Sequence, residues 1–318
     1  MIINIILLLI GFGLLVKGAD LFVDGASSTA QNFKVAKTLI GLTIIAFGTS
    51  IPEFAVSMNA LASGSSDMVL GNVIGSCILN ILLILGIAAF INPIKIKDNT
   101  AKKELPLCML ISTLLVVVFI DIKLDHKLVN QISRSDAIAI LLFFVVFIYY
   151  LLTLIRQRKQ KNDEEETPPF TLKKSFLLII IGLIGIIIGS ELVVKKAIAI
   201  ANVMGISERV ISLTIIAFGT ALPELITTII SSKKKEQDLL LGNIIGSNIF
   251  NICIVLGIPV AIYGSLTPVS FQAIDLIMLI ASSVLLFIFA TTKRTITRFE
   301  GGLMLLTFAI YYILVFVL

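Results

Sequence analysis

Ten apolar runs constrain this chain more than any other feature. They lie near 2–23, 39–62, 68–91, 105–121, 137–155, 175–197, 210–231, 238–262, 268–291 and 299–317. At 1.5 Å rise per residue, about 20 apolar residues cross a hydrocarbon core of roughly 30 Å. The runs lack the alternation of outer-membrane strands, so helices satisfy their backbone groups in lipid. With 58% hydrophobic and 14% charged residues, the chain has too little polar surface for a water-soluble fold. The expected class is an all-α integral membrane protein of ten transmembrane helices, with the lipid bilayer as its surroundings. The first run is too long for a signal peptide and has no cleavage signature, so it is expected to stay as a helix.

The net charge of +5 reflects topology. Segments between spans 1–2, 3–4, 5–6, 7–8 and 9–10 hold 18 Lys or Arg, against 6 on the other side. The positive-inside rule then puts both termini outside the cell membrane and the 156–170 linker in the cytoplasm. Lys17, inside the first span, is expected to snorkel to an interface. No nucleic-acid partner is implied, and no obligate protein partner. Cys77, Cys108 and Cys253 have no paired spacing, and the one histidine, His126, falls in an expected external loop. They read as small buried residues rather than a zinc site or disulfide.

The chain repeats itself. At an offset of 171 the halves align without a gap, and 24 of 49 residues are identical between 39–87 and 210–258. The expected organisation is a five-helix repeat over 1–155 carrying the 39–87 motif, a 156–174 cytoplasmic linker, and a second repeat over 175–318 carrying the 210–258 motif. Five spans per unit make the second copy inverted. Inverted repeats meeting through broken helices at the midplane are the pattern of secondary transporters.

The first shared element is "AFGTSIPE" (46–53), mirrored by "AFGTALPE" (217–224). Pro52 has no N–H for the carbonyl of Gly48, and Gly48 makes unwinding cheap. Carbonyls from Ala46 to Gly48 are thus expected to leave the helix axis, and Gly219 and Pro223 repeat the device. Thr49 and Glu53 share a helix face, as do Thr220 and Glu224. Ser50-Ile51-Pro52-Glu53 also reads as a capping box, a role that can coexist with ligation. Ala221 weakens that reading, because it replaces the serine while Glu224 is kept. A carboxylate at mid-membrane costs at least about 2.5–3.5 kcal/mol, which marks a functional site.

The second element is "GNVIGSCILN" (71–80), mirrored by "GNIIGSNIFN" (242–251). Asn72, Ser76 and Asn80 form one polar stripe at i, i+4, i+8. Gly71, Gly75, Gly242 and Gly246 read as packing positions for close helix approach, and Asn72 and Asn243 as struts between helices. Carboxylates, hydroxyls, amides and carbonyls without His or Cys suit hard cations. No nucleophile–base pair is present, so the chemistry is coordination rather than catalysis, and no cofactor is expected.

At these motifs, G-T-S-x-P-E and G-N-x-x-G-S-x-x-x-N, the chain resembles the sodium/calcium exchanger family of the calcium/cation antiporter superfamily, in its compact prokaryotic form. The resemblance implies alternating-access Ca²⁺ export driven by Na⁺ entry, and electrogenic exchange. It implies Glu53 and Glu224 as central ligands of both ions. Thr49, Ser50, Ser76 and Asn80 would join Thr220, Ser247 and Asn251, with the carbonyls of Ala46 and Ala217 completing the Na⁺ sites. Spans 1 and 6 would slide as the gating unit. Two departures stand out: Ala221 removes a hydroxyl, and Asn251 stands where some relatives carry Asp. An H⁺-coupled or broader cation antiporter using the same carboxylates is the alternative.

Overall fold

The computed structural model describes residues 2–124, 128–158, 167–205, 217–268 and 272–317. The fold is helical. Among the described residues, β-structure is confined to Ile94–Lys95 paired antiparallel with Thr295–Ile296, and a single bridge between Ile132 and Leu266. His126 and residues 159–166 of the expected linker lie outside the described residues.

Among the described residues, seven helices are long and apolar enough to cross a membrane: Ile2–Asn32, Ser66–Ile91, Arg134–Arg156, Leu172–Val203, Gln237–Tyr263, Ala273–Thr292 and Arg298–Val315. The pair Lys37–Thr49 and Ile51–Ala62, bent by 46° at its break, is long and apolar enough only when the two helices are taken together, as a broken span or a re-entrant loop. The run expected at 105–121 is the helix Leu105–Phe119 of 15 residues. It follows a π-helical turn, Thr100–Glu104, that carries Lys102, Lys103 and Glu104, so its apolar length falls short of a bilayer core. The run expected at 210–231 contains the helices Ala217–Thr220 and Leu222–Lys233, with 210–216 outside the described residues.

Two compact units are present, and each draws on both halves of the sequence. The first comprises residues 1–52 and 155–243, the second 53–154 and 244–318.

In the first unit, Ile2–Asn32 and Leu172–Val203 run antiparallel in backbone-to-backbone contact. A methyl group at Gly18 would meet Gly182 O at 2.8 Å, and one at Gly11 would meet Gly189 O at 3.1 Å. Only glycine allows this approach along both helices. Leu15, Phe22, Ile45, Ile179, Ile186 and Leu239 form the apolar core beside it. Ile5, Leu9, Phe12 and Val16 make an exposed stripe on the first helix, the face a lipid-contacting helix presents. Lys17 is exposed and pairs with Asp20 at 2.8 Å. Asp20 and Asp24 each meet Lys234 Nζ at 2.6 Å, while Glu236 accepts from Ser27 at 2.8 Å and from Lys37 at 3.0 Å. The backbone N–H and C=O of Phe170, at the end of the linker, bond to Ser28 Oγ, and its C=O also accepts from Asn32.

Contacts in the second unit come in matched pairs. Arg134 donates to Ile262 O at 3.3 Å, and Arg298 donates to Ile91 O at 3.3 Å. Ser133 N–H bonds to Asp136 at 2.8 Å, and Thr297 N–H to Glu300 at 2.7 Å. Gly86 abuts Gly301 and Leu305, whereas Gly257 abuts Ala137 and Leu141. Ile262 follows Ile91 by 171 positions, but Arg298 follows Arg134 by only 164. The gap-free alignment therefore stops before the last helix of each half. The extra residues of the first half fall in the connection 120–133, which is longer than its counterpart 293–297.

Candidate functional site

Both motif copies break their helix at the same register. Ser50 has φ −86° and ψ 5°, and Ala221 has φ −86° and ψ 0°. These values lie outside the helical well, two residues before Pro52 and Pro223, whose rings cannot continue the preceding turn. Of the carbonyls expected to leave the axis, that of Ala46 stays engaged and accepts the Ser50 N–H at 3.1 Å. The proline removes the donor opposite Gly48, four residues back, not the one opposite Ala46. Gly48 is buried against Phe22 and Leu183, and Gly219 against Val194.

Within the first unit the breaks bring together Thr49, Ser50, Glu224 and Asn243, all buried. Ser50 Oγ donates to Glu224 Oε1 at 3.3 Å, so its hydroxyl serves a carboxylate on another helix. Thr49 Oγ1 lies within donating reach of Ile45 O at 3.1 Å and Asn243 Oδ1 at 3.3 Å. Asn243 Nδ2 in turn reaches Thr228 Oγ1 at 3.4 Å. Ala217 opens the helix Ala217–Thr220, and Thr220 is half-buried.

The second unit contains the corresponding strut. Asn72 Nδ2 donates to Ser57 Oγ at 3.0 Å and to Glu53 O at 3.1 Å, joining Ser66–Ile91 to Ile51–Ala62. Glu53 itself is buried, as are Ser76, Asn80, Ser247 and Asn251. Asn80 Nδ2 donates to Asn248 Oδ1 at 3.0 Å. Asn80 and Asn251 both sit in π-helical turns, Leu79–Leu85 and Asn251–Leu256. Such turns often occur at functional positions because they reorient a side chain without ending the helix.

The glycines of the second element divide. A methyl group at Gly242 would meet Thr38 O at 2.5 Å, so this position packs directly on the backbone of Lys37–Thr49, the motif helix of the other copy. The close approach expected at Gly71 and Gly75 is absent among the described residues, where nothing lies within 4 Å of an added methyl group. Gly242 is met by Gly41, and the position 171 residues after Gly41 is Ser212, outside the described residues.

Sequence reasoning missed Ser57, Thr228 and Asn248. The first two had a signal, because each lies four residues after a motif glutamate and extends its polar face by one turn. Asn248 had none within its own copy, since it stands where the first copy has Cys77.

Several buried polar atoms have no hydrogen-bond partner among the described residues: Glu224 Oε2, Thr227 Oγ1, Asn80 Oδ1, and Asn251 Oδ1 and Nδ2. An unsatisfied buried polar atom costs about 1–3 kcal/mol. Four of these five atoms are oxygens, the donor type that hard cations take.

The family model for sodium/calcium exchanger protein matches residues 3–153 and 174–317. Those matches begin 171 positions apart and end 164 apart, the same two offsets seen in the contacts. The putative antiporter CaxA of Alkalimonas amylolytica is 37% identical over 321 residues, covering 99% of each chain. The sodium/calcium exchanger MaX1 of Methanosarcina acetivorans is 34% identical over 350 residues, again covering 99% of each. A solved structure of the sodium-calcium exchanger NCX_Mj, soaked with Na⁺ and no Ca²⁺, superimposes with a TM-score of 0.83 at 34% identity. That comparison covers 99% of this chain and 98% of the other.

Proposed function

This chain belongs to the sodium/calcium exchanger family, and from that premise we propose that it is an antiporter exchanging Na⁺ for Ca²⁺. The observation that carries the reading is the pair of buried glutamates, Glu53 and Glu224, each following a helix break at the same register. A buried carboxylate is expensive in a membrane unless a cation or proton offsets it. Thr49, Ser50, Ser76, Asn80, Thr220, Ser247 and Asn251 supply neutral oxygens, and the Ala46 and Ala217 carbonyls complete the proposed set. The Ala46 carbonyl uses one lone pair on the Ser50 N–H and keeps the other for an ion.

The architecture we propose is ten spans in two inverted five-helix repeats. The paired contacts support it: Arg134 with Ile262 answers Arg298 with Ile91, and Gly18 with Gly182 answers Gly11 with Gly189. Self-complementary contacts of this kind are what a two-fold relation produces. Alternating access then lets Na⁺ entry drive Ca²⁺ export. With two carboxylates, a Ca²⁺-loaded carrier is neutral and a carrier holding three Na⁺ bears one positive charge. The cycle moves that charge and is coupled to voltage at about 2.3 kcal/mol per 100 mV.

The test is Ca²⁺ uptake into proteoliposomes preloaded with Na⁺, K⁺ or acid, at two clamped potentials. Uptake should require internal Na⁺ and change with voltage. Uptake driven by internal acid alone would replace Na⁺ coupling with H⁺ coupling, and voltage-independent flux would remove the third Na⁺. For topology, both termini belong outside and 156–170 in the cytoplasm. A cysteine introduced at Asn162 should resist an impermeant label in intact cells.

A further inference from the structure

Asn80 enters the proposed function as an oxygen ligand, yet an amide has two ends and only one of them is an oxygen. Its orientation has a visible cause. Asn248, on Gln237–Tyr263, is fully enclosed and reaches back to Ser66–Ile91. Asn248 Nδ2 donates to Cys77 O at 3.4 Å, and Cys77 Sγ donates to Asn248 O at 3.8 Å. With its nitrogen held by Cys77, Asn248 aims Oδ1 at Asn80, 3.0 Å from Asn80 Nδ2. An acceptor there obliges Asn80 to present its nitrogen to Asn248 and its oxygen elsewhere. That oxygen is buried and has no hydrogen-bond partner among the described residues.

The repeat supplies an internal control. Cys77 and Asn248 occupy equivalent positions 171 residues apart, and they meet each other. In the first copy's place, Cys77 has no amide to offer, and both polar atoms of Asn251 lack a partner among the described residues. Asn80 is therefore oriented by its surroundings, while among the described residues nothing orients its repeat counterpart Asn251.

We infer that Asn248 is a positioning residue that locks Asn80 with its oxygen turned to the transported cation, leaving Asn251 to adjust. This rests on the reading of Asn80 as a cation ligand. An amide free to rotate would offer –NH₂ part of the time, which repels a cation, so the lock raises affinity without touching the ion. Because it acts on one ligand's orientation, it should alter half-saturation and leave the maximal rate of a loaded carrier nearly unchanged.

The experiment measures Ca²⁺ dependence of Na⁺-driven uptake in proteoliposomes for Asn248→Leu, Asn248→Asp, Asn80→Ala, Asn80→Asp and the double variant Asn80→Asp/Asn248→Leu. Loss of one oriented hydrogen bond should raise half-saturating Ca²⁺ about five-fold in Asn248→Leu, with maximal rate preserved. Asn248→Asp should stay close to wild type, because its protonated carboxyl can donate to Cys77 O and still accept from Asn80. In Asn80→Asp both ends are oxygens, so adding Asn248→Leu should then have no further effect. An equal loss in that background would make Asn248 a packing residue and overturn the inference. So would an unchanged half-saturation in Asn248→Leu while Asn80→Ala raises it. If Asn80→Ala itself changes nothing, Asn80 is not a ligand, and the proposed site fails at that residue before Asn248 is at issue. Asn248→Ala takes the place of Asn248→Leu if the leucine variant does not reach the membrane, with the same expectations.

Discussion

The two motif copies break with nearly the same backbone dihedrals and differ in what surrounds the break. Ser50 and Ala221 have nearly the same dihedral angles, although one side chain reaches a carboxylate and the other has nothing to reach with. Asn72 bonds to Ser57, and Asn243 to Thr228, two pairs related by the same offset of 171. Beyond these the copies part. Among the described residues, Asn80 is tied to Asn248 while the Asn251 side chain has no hydrogen-bond partner, and Gly242 is packed while nothing lies within 4 Å of a methyl group added at Gly71. The glycine–proline spacing is thus enough to set the break, with or without a capping hydroxyl, because it acts through sterics and a missing donor. The surrounding polar atoms have been free to diverge, and there the copies can acquire different duties.

The strongest test of that division is at the carboxylates, which both copies keep. Glu53→Gln and Glu224→Gln should each lower Ca²⁺ transport on the order of 100-fold or more, since an uncompensated buried charge costs about 3–5 kcal/mol. Both variants should still enter the membrane, where neutral side chains are cheaper. Near-normal exchange by either protein would mean the copies do not share the ion-binding task.

Next in size is the glycine contrast. Gly242→Ala drives a methyl group onto Thr38 O and should destabilise the protein by about 1–3 kcal/mol. Gly71→Ala should be neutral or stabilising by up to about 1 kcal/mol, as alanine is the better helix former. Thermal unfolding in detergent distinguishes them, and equal melting temperatures would erase the difference between the copies.

Removing the serine that only the first copy has should produce a smaller change. In Ser50→Ala, Glu224 Oε1 loses its donor at 3.3 Å, so half-saturating Na⁺ should rise about 3- to 10-fold. The smallest effect belongs to Ala221→Ser, which makes the copies alike at the break. Half-saturating Na⁺ should fall about twofold, within the range of one weak hydrogen bond. If the Na⁺ titration does not move, position 221 is not beside a sodium site.

The positions of most helices were legible in the sequence because a helix that crosses a membrane must be apolar over its length, whether it faces lipid or protein. The short helix Leu105–Phe119 was harder, since charged residues at its start cut its apolar length. Glu53 and Glu224 were legible because a carboxylate in an apolar run is costly and the repeat placed both in register. Ser57 and Thr228 extend the same face but look ordinary beside the glutamates. The glycines of Ile2–Asn32 and Leu172–Val203 recur every seven residues, at 11, 18 and 25 and at 182 and 189, a signal present but not used. Asn248 could not have been read at all, because its partner Asn80 is 168 positions away and their contact depends on how two helices cross.

The π-helical turns at Leu79–Leu85 and Asn251–Leu256 also set the phase of the helices that contain them. A π turn holds one residue more than the α-helix around it and does so without ending the helix. Each residue advances an α-helix by about 100°, so the surplus residue swings everything on one side of it around the axis relative to the other. The surplus falls at matching places in the two motif copies, at Asn80 and Asn251. In each copy the asparagine is thereby turned out of line with the apolar helix that follows.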